Sequence, residues 1–263
     1  MPFSGQAGSR IYWKLEGADS AAPLVLLNSI GTDMDLWAPS LQALAQRHRV
    51  LRIDTRGHGA SDVAEGDYTL TGLAEDVFSA MDAAGIAAAA VAGVSLGGMI
   101  AMEMALAQAA RVTGLALICT SATMDKGAWS DRVAKVRAEG MSGIADLAMG
   151  RFLSPGFVAA QPATAATIRR QLVEMAPAGY AGCAAAIRDM DIAARLSGIG
   201  CPVLVVTGER DTSTPLEGHG DCLIANIPGA RHSALPCAHL APLEAPGLLA
   251  AEILAFLQDR TTR

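Results

Sequence analysis

Three residues far apart in the chain carry side chains that together could open an ester: Ser95, Asp211 and His239. A serine hydroxyl is a poor nucleophile at neutral pH. It needs a base to take its proton and a third group to orient that base. Ser95 lies in Ala92-Gly93-Val94-Ser95-Leu96-Gly97-Gly98-Met99, after an apolar run, Ala87 to Val91, and before a run rich in Ala, Met and Leu, Met99 to Ala110. Strand, Gly-x-Ser-x-Gly turn and helix form the context of a nucleophile elbow. Such an elbow cramps the serine backbone and lifts its hydroxyl clear of the sheet's carboxyl edge. Gly93 and Gly97 leave room for segments packed too closely for a Cβ.

Ser95, then Asp211, then His239 is one of the chain orders in which catalytic triads occur. In these roles Ser95 is the nucleophile, His239 the general base and then acid, and Asp211 the group that orients the imidazolium. Asp211 follows Gly208 in a Gly-x-x-Asp turn after an apolar run, a tighter turn than the one around the competing acid, Asp125. Among the other histidines, His232 falls inside a strand. His219, in a helix, and His48, near a helix end, are expected in solvent. His58, in Arg56-Gly57-His58-Gly59, is expected to brace its loop near the site edge. An oxyanion hole needs two backbone N–H groups. Leu96, at the helix start, supplies one, and Ile30, in Asn28-Ser29-Ile30-Gly31-Thr32-Asp33, is the best position for the other.

Short continuous apolar runs at Leu24 to Leu27, Val50 to Ile53, Ala87 to Val91, Leu115 to Cys119 and Val203 to Val206 read as strands covered on both faces. Arg10 to Leu15 alternates as an edge strand would, and Ala230 to Leu235 is the last strand. Helices are expected over Trp37 to Gln46, Leu70 to Gly85, Leu216 to Ala225 and Pro242 to Gln258. This alternation predicts an α/β fold, a mostly parallel sheet with helices on both faces. Ligands of such sheets bind beyond the carboxyl ends of the strands, where Ser95, Asp211 and His239 all fall. From Thr123 to Gly198 no β-branched apolar run occurs and helical stretches are broken by Gly and Pro. A helical cap over 123–198, inserted after the sixth strand into a core of 1–122 and 199–263, is the expected organisation.

At 263 residues and 51% hydrophobic, the chain can bury one large α/β domain. A net charge of −6 without a basic cluster argues against nucleic acid as a partner. The five cysteines are scattered and odd in number, with no C-x-x-C, which suits reduced thiols in a cytoplasmic protein and disfavours a zinc site. Residues 1–10 lack the pattern of a signal peptide, and no apolar run reaches membrane-spanning length. No metal, flavin or nucleotide motif is visible, so no cofactor is expected. The sequence leaves oligomeric state open.

With these residues in hand, the chain resembles the α/β-hydrolase superfamily from Arg10 to the end. Asp54-Thr55-Arg56-Gly57-His58-Gly59-Ala60-Ser61 is similar to its D-x-R-G-x-G-x-S loop, and His239 to Pro246 to its H-x-x-x-x-E-x-P ending. A narrower resemblance is to the 3-oxoadipate enol-lactonases of aromatic catabolism. It is carried by Asn28 to Asp33 with Trp37, Leu51 to Gly59, Gly93 to Met99, and in the cap Trp129, Arg132 and Arg137 to Met141. Ala238 departs from the Gly or Ser usual before the histidine. This resemblance implies hydrolysis of an enol-lactone bearing a carboxymethyl arm, a small-molecule substrate. Its carboxylate calls for a cation from the cap: Arg132 first, Arg151 second, with Trp129 as an apolar wall. A carboxylesterase, a carbon–carbon bond hydrolase of ring-cleavage products, and a non-catalytic ligand-binding homologue are the competing readings.

Overall fold

A computed structural model describes residues 2–5 and 8–258. Eight strands form one sheet: β1 (Phe3–Ser4), β2 (Ile11–Glu16), β3 (Pro23–Leu27), β4 (Arg49–Ile53), β5 (Ala89–Val94), β6 (Val112–Ile118), β7 (Val203–Gly208) and β8 (Arg231–Leu235). Their order is β1-β2-β4-β3-β5-β6-β7-β8. Pairings of β1 with β2 and β2 with β4 are antiparallel, and those from β4 across to β8 are parallel. The mostly parallel sheet expected from the apolar runs is thus present.

The helices of the sheet's two flanks include α1 (Ala38–Ala45), α2 (Leu70–Ala83) and α3 (Leu96–Ala107). Between β6 and β7 come α4 (Lys126–Glu139), α5 (Ala145–Phe152), α6 (Pro155–Ala160), α7 (Pro162–Glu174) and α8 (Pro177–Asp189). After β7 follow α9 (Asp221–Asn226), α10 (Ala241–Glu244) and α11 (Pro246–Gln258). The segment between β6 and β7 has no strand among the described residues, as the Gly- and Pro-broken pattern predicts.

α3 is the helix on which the site is built. Residues Leu96 to Ala105 are all buried, which follows from a helix that is apolar on every side. Its one acid, Glu103, is satisfied by the Thr71 hydroxyl at 2.9 Å and the Arg195 guanidinium at 2.6 Å. Small residues let α3 approach the sheet. A Cβ on Gly93 would sit 2.3 Å from the Gly97 carbonyl, and one on Gly97 would sit 2.6 Å from the Leu27 carbonyl of β3.

Three sequence expectations need correction. The strand at Arg10 to Leu15 is not the edge, because β1 pairs outside β2. The helix expected over Leu216 to Ala225 is broken: Glu217 is extended and Gly218 has φ +80°, so only α9 is regular. The closing helix is split into α10 and α11 at Ala245, the residue before Pro246, where the helical region is disfavoured.

The Gly97→Ala variant should lose about 1–3 kcal/mol of stability, because its methyl drives α3 from β3. Urea unfolding measures this, and an unchanged midpoint would count against the close approach.

Candidate active site

Ser95 stands at the junction of β5 and α3 with φ 55° and ψ −117°. This is the cramped conformation that the Gly-x-Ser-x-Gly turn anticipates. Its N–H donates to the Ile118 carbonyl at 2.9 Å, and its carbonyl accepts from the Thr120 hydroxyl at 2.6 Å. Both anchors lie at the end of the neighbouring strand β6. Leu96, as the first residue of α3, keeps an N–H outside the helical ladder.

Asp211 and His239 meet, although 28 residues separate them: Nδ1–H of His239 donates to Asp211 Oδ2 at 2.9 Å. Both are buried. The Ser213 and Thr214 N–H groups donate to Asp211 Oδ1 at 2.7 and 3.2 Å, and the Thr214 hydroxyl donates to Oδ2 at 2.9 Å. Burial works against ionisation of Asp211. The adjacent His239 and these donors outweigh it and hold the carboxyl down at about 2. Among the described residues the Ser95 hydroxyl and His239 form no hydrogen bond. In unliganded enzymes this contact is often long and tightens with substrate. Thr214, 3.5 Å from His239 Nδ1, escaped the sequence reading. Its position three residues after the acid was the available signal.

The loop that carries Ile30 is tied to the elbow, since the Gly97 N–H donates to the Asn28 carbonyl at 3.0 Å. Asn28 Nδ2 reaches the Ile53 carbonyl at 2.7 Å. Among the described residues no backbone bond uses the Ile30 N–H as donor. The next N–H, of Gly31, donates to His58 Nε2 at 2.9 Å. His58 Nδ1 lies 3.1 Å from the Arg56 carbonyl, so it carries the proton and the ring is neutral. Burial pushes the His58 imidazole down to about 4. His58 thus braces its own loop, as expected, through the Arg56 carbonyl, and it also holds the Ile30 loop, which the sequence did not anticipate. Beneath it, Asp54 accepts from the Met34 and Ala60 N–H groups, each at 2.8 Å.

Two histidines expected in solvent have partners. His219 Nδ1 lies 2.8 Å from the Ser121 hydroxyl and His48 Nδ1 lies 3.1 Å from the Ala22 carbonyl. Partial burial lowers both imidazoles from their ordinary range. The break at Gly218 is what turns His219 away from an exposed helix face. Asp125, the competing acid, caps α4 through the Ala128 N–H at 2.7 Å instead.

Trp129, Arg132 and Arg151 line one cleft of about 160 Å³, together with Lys135, Ile144 and Leu147. Arg132 lies over the Trp129 ring, Cζ 4.6 Å from its centroid, and its Nη1 donates to the Tyr180 hydroxyl at 3.4 Å. Tyr180 is fully buried and, with Leu172 and Phe152, closes over Gly31. The cleft is thus connected through Tyr180 to the Ile30 loop, while Ser95 is not among its lining residues. Phe152 stacks on His239 with ring centroids 6.2 Å apart.

A mostly parallel sheet with a strained serine at one strand end and a buried Asp–His pair after two others is the architecture of one fold class. The chain belongs to the α/β-hydrolase fold family, whose model matches residues 22–157. On that membership it is a hydrolase. It is 30% identical to 3-oxoadipate enol-lactonase 1 of Acinetobacter baylyi over 245 residues, covering 93% of this chain and 91% of that protein. The structure is similar to that of the enol-lactonase from Burkholderia xenovorans, with TM-score 0.94, 34% identity and coverage of 98% of this chain and 100% of that one. It is also similar to a hydrolase from Pseudomonas aeruginosa, with TM-score 0.92, 38% identity and 97% coverage of both chains. No helix among the described residues is long and apolar enough to cross a membrane.

The His58 imidazole titrates at about 4 when folded and near 6.5 when unfolded, so the unfolded chain binds more protons between those values. Its contribution is present above pH 6.5 and is lost as pH falls toward 4. Relative to the His58→Gln variant, wild type should lose up to about 3 kcal/mol over that window. Asp54 is pushed up to about 6 by burial and acts in the opposite sense, but it is common to both proteins. Urea midpoints at pH 7 and 4.5 make the measurement. Parallel pH profiles for the two proteins would contradict it.

Proposed function

We propose that this hydrolase opens the ester of 3-oxoadipate enol-lactone by a Ser95–His239–Asp211 triad acting through an acyl-enzyme, in the cytoplasm. The observation that carries the reading is the buried Asp211–His239 pair, 2.9 Å long, on the sheet edge where Ser95 is held in its strained turn. His239 takes the Ser95 proton as the hydroxyl attacks the ring carbonyl. Asp211, ionised at any pH well above 2, orients the ring and stabilises the imidazolium. The developing oxyanion lies between the Leu96 and Ile30 N–H groups. The ring C–O bond breaks, leaving an enolate tethered to the acyl group. It takes the proton back from the His239 imidazolium and becomes a ketone, so the acid step asks less of His239 than amide cleavage does and leaves its ring neutral again. Water, deprotonated by His239, then releases the acid.

The likeness to enol-lactonases over nearly the whole chain supports the substrate class. So does the cationic cleft, where Arg132 and Arg151 offer a carboxylate two partners beside the Trp129 ring. In this reading residues 123–198 form the cap that bears these groups, over a core of 1–122 and 199–263.

Ser95→Ala should lower kcat for the enol-lactone by about 10⁴-fold or more with the fold intact by circular dichroism. Substantial residual turnover would reject the mechanism. Arg132→Ala should raise KM for the carboxylate-bearing lactone by about tenfold or more and leave a neutral aryl ester within about twofold. Equal effects on both would remove Arg132 from the site. Faster turnover of neutral esters or of vinylogous diketone acids by wild type would favour the esterase or carbon–carbon hydrolase readings. No turnover of any of them would favour a ligand-binding homologue.

A further inference from the structure

Glu244, five residues beyond His239, has a buried carboxylate that is 2% exposed. It is not aimed at the reacting groups. Its Oε2 accepts from the Ala238 N–H at 3.1 Å, immediately before His239, and from the Ser154 hydroxyl at 2.9 Å. Its Oε1 accepts from the Ser154 N–H at 2.5 Å. Arg210, immediately before Asp211, places Nη2 3.8 Å from the same Oε2. One buried carboxylate thus bonds the histidine loop to the α5–α6 junction, where the Ser154 hydroxyl also caps α6 by accepting from the Phe157 N–H at 3.2 Å, and it lies within ion-pair distance of the aspartate turn's Arg210.

Neighbouring contacts continue the junction. The Leu240 N–H donates to the Phe152 carbonyl at 3.1 Å, and the Phe152 ring stacks on the His239 imidazole, 11° from parallel. Residues 152–154 therefore run beside residues 238–240, with hydrogen bonds on both sides of the histidine. The Arg210 N–H donates to the Cys237 carbonyl at 2.9 Å, which joins the aspartate turn to the same loop. A carboxylate taking three neutral donors forms stronger bonds than a neutral acceptor would. Removing it strands buried N–H groups.

We infer that Glu244 is a positioning residue. It locks the His239 loop to Ser154 at the α5–α6 junction and so keeps Phe152, the last residue of α5, against the imidazole, so that the cap and the catalytic base are held as one unit. This inference rests on the triad reading of the preceding subsection. It also accounts for the glutamate of the H-x-x-x-x-E-x-P ending, which no catalytic step uses.

Glu244→Gln keeps the shape and one acceptor oxygen but turns an NH₂ toward a donor that already points inward. The test measures kcat per active site, titrated by the acyl burst from a p-nitrophenyl ester, together with the downfield Nδ1–H proton resonance of His239. The expected result is a fall in per-site kcat of tenfold or more, KM for the neutral ester within threefold, and a shifted or broadened resonance. A residue that only stabilised the fold would lower the titrated fraction and leave per-site kcat and the resonance unchanged, and that result overturns the inference. Should Glu244→Gln fail to fold, Ser154→Ala is read instead; it removes one donor to Glu244 and the cap of α6, the latter being read in the titrated fraction and not in per-site kcat. A threefold or larger fall in per-site kcat supports the clamp, and a smaller one overturns it. Ser95→Ala serves as control. If it is inactive while the Glu244 and Ser154 variants match wild type, the clamp alone fails. If Ser95→Ala turns over, the triad reading fails.

Discussion

The backbone of Ser95 is the constraint on which the rest of the structure depends. A side chain with Cβ at φ 55° and ψ −117° lies outside the ordinary allowed regions, at a cost of about 1–3 kcal/mol. The surroundings over-determine it. Its N–H and carbonyl are bound by residues at the end of β6, and the Gly98 and Met99 N–H groups turn back onto the same carbonyl at 2.9 and 3.1 Å. At about 1 kcal/mol net each, these bonds offset the strain. They require β3, β5, β6 and α3 closer together than side chains permit, which explains the missing Cβ atoms at 93 and 97.

Around that point, loops from separate strands share buried polar groups. Asp54 and Asp211 are both buried carboxylates, yet one is pushed up to about 6 and the other held at about 2. Burial opposes charge at both. Asp54 has neutral N–H donors, with Asp33 and Asp35 nearby to raise it further. Asp211 has comparable donors and also a histidine beside it. The histidine beside Asp211, which has no counterpart at Asp54, decides the outcome and keeps an anion at this strand end. His58 shows the converse. Buried and hydrogen-bonded only to backbone groups, it stays neutral and serves as a hydrogen-bond acceptor for the loop that carries Ile30.

The helices between β6 and β7 are held to these loops by backbone as well as side chains. Gly179 of α8 packs on Gly57 so tightly that a Cβ would lie 2.3 Å from the Gly57 carbonyl, and the Tyr68 N–H donates to the Gly182 carbonyl at 3.1 Å. Tyr180 on the same helix lies between Arg132 and the Ile30 loop. Shifts in α8 are therefore felt both at the cleft of Arg132 and at the loop that carries Ile30, since packed interiors transmit displacement.

The sheet, the strained turn at Ser95 and the strand-end positions of Asp211 and His239 were legible from residue order. Apolar runs report strands buried on both faces, and Gly-x-Ser-x-Gly encodes its own local geometry. So was the bracing of its own loop by His58, because it sits in a tight glycine turn, whereas its hold on Gly31 was not. The fates of His219 and His48, the break at Gly218 and the place of β1 outside β2 were not legible, since each depends on partners distant in the chain. The same holds for Thr214 as a third donor to Asp211 and for Glu244 joining residues 154, 210 and 238. Local sequence determines conformations that need only neighbours along the chain. Which buried donor faces which acceptor, and whether a carboxylate keeps its charge, is decided only when tertiary packing removes water and leaves each polar group the partners within reach.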